Sequence, residues 1–155
     1  MNEKINPDQT PEAGIDPETE ARARAIIEKG FEDAIDAFYA AVREDDVIGP
    51  VFLSVVHDWD GHKRTMVDFW SRAVLGTQRY NGMPLPPHVK LKLGDAHFER
   101  WLKLWGEACR ATMPEPLADH VGALSANMSR HWTSALHSIE AQVARLEQAG
   151  NKAGE

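Results

Sequence analysis

The chain has 155 residues, 43% of them hydrophobic, and a formal net charge of −7; this is one ordinary globular domain. The negative balance argues against nucleic acid or an anionic membrane as the main partner, since both select basic patches. The single cysteine, Cys109, rules out an intramolecular disulfide and suits a reducing compartment. No apolar run is long enough to span a bilayer and the acidic start is unlike a secretory signal, so the expected location is cytoplasmic.

Much of the acidity is local. Glu3, Asp8, Glu12, Asp16, Glu18 and Glu20 stand against Lys4 alone, so residues 1–17 read as a disordered acidic tail. Asp16 as cap and Pro17 at the first helical position predict a helix start there, with Gly30 as a break or a weak spot. Phe31, Ile35, Phe38 and Val42 recur at helical spacing, and the chain then turns at Gly49-Pro50. The next helix is capped at Asp58 and stopped at Gly76, with Trp59, His62, Met66, Phe69 or Trp70, and Ala73 facing inward. After a proline-rich stretch, YNGMPLPPHVKL, a helix capped at Asp95 turns Phe98, Trp101, Leu102, Trp105 and Cys109 inward. A last helix runs from about Leu117 to Ala149, with a bend near Gly122. No segment alternates with the period of a strand, so the fold class is all-α with five or six helices.

Two histidines stand apart. His62 lies on its helix's apolar stripe, either as a half-buried imidazole bonded to a carbonyl or as a ligand or gate. His88 follows three prolines, which lower the entropic cost of holding one imidazole nitrogen at a fixed place; it is either an exposed loop residue or a metal ligand. Zinc is a poor candidate, because one cysteine supplies no cluster, HExxH is absent, and His120, His131 and His137 do not share a helix face. His57 and His97 read as exposed residues able to touch a ligand's edge. A lone imidazole holds iron when a macrocycle supplies the other ligands, and haem needs one axial histidine and a flat apolar slot. Phe38, Phe52, Met66, Trp70 and Leu102 are candidate walls. Tyr39, at the edge of an apolar face, turns its hydroxyl either into such a slot or into solvent; turned inward, it and the Trp101 indole would be donors to a diatomic ligand.

Taken together these residues resemble the truncated haemoglobins of group III. The matching strings are FYAAVREDDVIGPVF, DWDGHKRTMVDFWSRAVLGTQRYNGMPLPPHVKL and HFERWLKLW, from Phe31 to Trp105, and the Gly-Gly turns of the other truncated groups are absent. The resemblance implies a two-over-two helical sandwich, over residues 18–149, around non-covalent haem b. By motif match His88 is the proximal iron ligand, Tyr39 the distal hydroxyl donor, His62 the distal histidine and a candidate gate, and Trp101 the distal indole. Phe52 wedges the haem, Met66 sits over the iron where a branched aliphatic is expected, and Trp70 packs beneath. Tyr80, Arg79, Lys90, Lys92 and His97 are near enough in sequence to serve the propionates. The acidic extension and Trp105, where Phe is more usual, depart from the pattern.

The implied function is binding of O2, NO or CO, with distal donors that suit capture or sensing better than delivery. The alternatives are a peroxidase or NO dioxygenase served by an electron donor or reductase, a resting state with His62 closed on the iron, and a haem-free helical interaction domain.

Overall fold

The computed structural model describes residues 14–154, so residues 1–13 of the expected tail lie outside the described residues. Six helices and no strand are found among the described residues: α1 (Pro17–Arg43), α2 (Gly49–Val55), α3 (Trp59–Leu75), α4 (Leu85–Val89), α5 (Asp95–Thr112) and α6 (Glu115–Lys152). α1 packs on α3 in one layer, α5 on α6 in the other, and α1 crosses α5 between them. This is the expected all-helical sandwich.

Local chemistry sets most helix ends. The Asp16 carboxylate accepts from the Thr19 N–H at 3.0 Å and Pro17 opens α1. The Asp58 carboxylate accepts from the Gly61 N–H at 3.0 Å, and Gly76 ends α3 at φ 69°, a left-handed conformation that costs a side-chain-bearing residue strain. α5 departs from expectation. Asp95 is its first residue, not its cap; the Gly94 N–H donates instead to Nδ1 of His97, at 2.9 Å. Gly49-Pro50 opens α2 where a turn was expected, since proline fits a first helical turn. α6 runs unbroken through Gly122.

The core gathers around aromatic rings. Trp70, 4% exposed, stacks with Phe31 (centroids 6.2 Å apart) and with Trp105 (5.1 Å). Gly30 is no break: a side chain there would meet Met113 at 3.3 Å, so the glycine admits a close approach to α1. Trp105 has a use for its indole that phenylalanine would lack, donating to the Ser125 Oγ at 3.0 Å, which donates onward to the Val121 carbonyl. Two inward assignments fail. Ala73 is exposed, because α3 continues its packed face from Trp70 to Val74, four residues on. Leu104 rather than Leu102 enters the core, because the face of α5 turned to α1 runs through Trp101, Leu104, Trp105 and Ala108. Cys109 is buried, which pushes its thiol up to about 12.

Polar ties hold the connections. The Arg79 guanidinium grips both oxygens of Glu28 at 2.9 Å and Asp68 at 2.7 Å, while the Ser71 hydroxyl donates to Glu28 and receives a bond from Thr77. The segment after α3 is thereby fastened to α1. The buried Asp45 carboxylate accepts from the N–H groups of Val47 and Ile48 ahead of α2 and pairs with Arg100 of α5.

Candidate functional site

A cavity of about 350 Å³ lies between the layers, walled mainly by apolar side chains. All eight of the residues singled out for a cofactor, Tyr39, Phe52, His62, Met66, Trp70, Tyr80, His88 and Trp101, line it. Phe38 lines it too, but Leu102 does not, for the packing reason given above. The first layer supplies Tyr39 from α1, Phe52 from α2, and His62, Met66 and Trp70 from α3; α4 and α5 supply His88 and Trp101.

Tyr39 is 3% exposed, so its hydroxyl is turned inward and not into solvent. It meets Nε2 of His62 at 2.7 Å, joining α1 to α3 inside the cavity. Burial holds the Tyr39 phenol well above its ordinary range, so it remains a proton carrier at any ordinary pH. Phe52 closes over this pair, its ring centroid 5.5 Å from that of Tyr39 and 6.3 Å from that of His62. Behind it Trp59 stands edge-on to Tyr39 at 5.5 Å, with the Arg43 guanidinium 4.4 Å from its ring centre.

His88 is half-buried, not the exposed loop residue that was the alternative. It sits on the one-turn helix α4, where its Nδ1 bonds the Pro84 carbonyl. A carbonyl only accepts, so the proton lies on Nδ1 and Nε2 keeps a free lone pair. Burial lowers the pKa of His88, against the raising effect of that carbonyl; burial and then the neighbouring His88 lower that of His62. Both imidazoles are therefore neutral near pH 7.

Of the propionate candidates, Arg79 is taken by Glu28 and Asp68, and Lys90 and Lys92 are exposed. Tyr80 and His97 line the cavity. With Nδ1 accepting from Gly94, a neutral His97 carries its proton on Nε2 and is a donor for a carboxylate. His57, His120, His131 and His137 are exposed. Sequence reasoning missed Trp132 of α6, whose ring centroid lies 4.5 Å from that of His88, and Met128 and Ser129 one turn earlier in the same wall. Ser129 and Met128 lie three and four residues before Trp132, so the three share one helix face, and that was a readable signal.

A flat macrocycle with a central metal suits these residues. No cluster of three or more His, Cys, Asp or Glu able to hold a bare metal ion exists among the described residues. One imidazole with a free nitrogen, in an apolar aromatic cavity, matches a metal whose other ligands arrive with it.

The bacterial-like globin family model matches residues 27–136. The chain is 28% identical over 117 residues, 72% of its own length and 92% of the relative's, to the group 3 truncated hemoglobin ctb of Campylobacter jejuni. The crystal structure of group III truncated hemoglobin from Campylobacter jejuni superposes with a TM-score of 0.67, covering 70% of this chain and 90% of that one.

Proposed function

Because this chain belongs to the bacterial-like globin family, it is a haem-binding globin, and we propose that it holds haem b through Nε2 of His88 and offers Tyr39, His62 and Trp101 to O2, NO or CO. The supporting observation is a single apolar cavity whose wall holds both an imidazole with a free nitrogen and a buried hydroxyl–imidazole pair. Haem, when bound, would supply an iron able to take a diatomic ligand, with His88 holding it.

The protein's part is to present protons and exclude water. If the Tyr39 O–H donates to Nε2 of His62, no hydroxyl proton is left for a ligand. If the His62 Nε2–H donates to the Tyr39 oxygen, the Tyr39 proton is free to turn toward one. The tautomer of His62 thus decides whether Tyr39 is a donor. Closure of His62 on the iron requires this bond to break. The Trp101 indole is a second donor, and the His97 Nε2–H a partner for a propionate. The test is an absorption series on haem-loaded protein: ferric, ferrous, and ferrous with CO. A Soret band that appears on loading and shifts with CO is expected; no such band sinks the reading.

Replacing Tyr39 by Phe should quicken O2 dissociation by about two- to tenfold, the loss of one hydrogen bond. An unchanged rate in stopped-flow mixing would remove Tyr39 from ligand retention.

The apoprotein should also lose stability in acid. His62 and His88 have folded pKa values below the ordinary 6.5, so the unfolded chain binds protons more readily as the pH falls through about 6.5. Their burial is tolerated fully only above that pH. Melting temperature should drop between pH 7 and pH 5, and less so in the His62→Gln variant; equal drops would remove His62 as a contributor.

A further inference from the structure

We propose that Trp132 of α6 positions the His88 imidazole, its indole acting as the stop that fixes the ring's tilt and keeps Nε2 aimed into the cavity. The inference rests on the reading of His88 as the axial ligand. α4 is only Leu85–Val89, one turn, and so short a helix has little stability of its own. The bond from Nδ1 to Pro84 decides which nitrogen carries the proton, but Pro84 belongs to the same short segment. A ring held only from within its own strip swings whenever the strip moves. Restraint has to come from another element.

Trp132 provides it. α6 is a 38-residue helix packed along α5, and it brings the indole to within 4.5 Å of the imidazole, centroid to centroid, at an interplanar angle of 52°. That is the near end of the range over which aromatic pairs attract. Among the described residues it is the aromatic pair that ties α4 to the rest of the fold. Trp132 is half-buried and lines the cavity one turn after Met128 and Ser129, so the face holding the imidazole is also part of the pocket wall. The Pro84 bond sets the tautomer and the indole sets the tilt. A metal ligand has to be held to within roughly 10–20° of its productive direction.

Trp132→Ala and Trp132→Phe test this, with Trp132→Leu, which keeps bulk without a flat face, in place of Ala if that variant does not fold. In the apoprotein, long-range proton–nitrogen spectra of His88 should show one Nδ1-protonated tautomer and ring protons shifted upfield in wild type. With Ala the Nδ1 tautomer set by Pro84 should persist while the upfield shift is lost and the ring signals broaden, and Phe should recover both. In the haem-loaded protein, Ala should quicken haem loss by about two- to tenfold and broaden the ferrous iron–imidazole stretching band, and Phe should restore both. Identical His88 signals and stretching bands in all forms, or a Phe variant that behaves like Ala, would overturn the inference. A wild-type protein that takes up no haem would defeat the proposed function instead, and the apoprotein spectra would still decide the role of Trp132.

Discussion

Replacing His88 by glycine should speed haem release by more than about 100-fold, because loss of mere outer-shell partners of a metal ligand already costs 10- to 100-fold. The described residues contain no cluster of metal-ligating side chains to take over, and of the two other imidazoles lining the cavity, His62 is bonded to Tyr39 and His97 to the Gly94 N–H. The apolar walls remain, so the porphyrin is loosened and not shut out. Free imidazole fits the volume vacated and should restore the axial bond. The measurement is transfer of haem to an excess of scavenger apoprotein, with and without imidazole. Unaltered retention and an unaltered ferrous spectrum would falsify the assignment of His88. Retention with a changed spectrum would point to His62, and His88→Gly/His62→Leu would then release the haem.

Trp70→Ala should destabilise the apoprotein by about 3–5 kcal/mol, the usual cost of cutting a buried tryptophan to alanine. The ring is 4% exposed and stacks with both Phe31 and Trp105. Those rings belong to α1 and α5, so the hole would open where the two layers cross and could not close without moving both. Against a typical total of about 5–15 kcal/mol, this is a large share. With a urea slope of about 1–3 kcal/mol per molar, the midpoint should fall by at least about 1 M. A fall of only a few tenths would mean that the neighbouring rings collapse into the gap. The same variant should bind haem less tightly, since Trp70 lines the cavity.

Helix ends were legible where a residue acts on its own neighbours. Asp16, Asp58 and Gly76 each do one local thing, and the sequence shows it. Asp95 misled because the helix begins one residue earlier, at a Gly94 cap whose N–H is taken by the imidazole of His97, a role that cap preferences do not show. Ala73 and Leu102 were misplaced for another reason. A helical stripe is wide enough to allow two neighbouring faces, and only the crossing partner chooses between them. Gly30 has the same lesson, since its purpose is Met113, more than eighty residues away. In the cavity, proline bracing marked His88 as a residue held in place, but the partner of its Nδ1 is a backbone carbonyl, which no side-chain pattern encodes. Asp45 was missed as well. Its N–H partners are local, but its burial depends on Arg100 from another helix.

The lone sulfhydryl of the protein has a bearing on its durability. At neutral pH almost none of Cys109 is ionised, and its sulfur is out of reach. Oxidants and nitrosating species that come with the proposed gases react with the ionised, accessible form, so they should leave this atom alone. Alkylating reagents should label the native protein slowly and the denatured chain at once. The molecule can work amid corrosive small species without using up a thiol or cross-linking to its own copies.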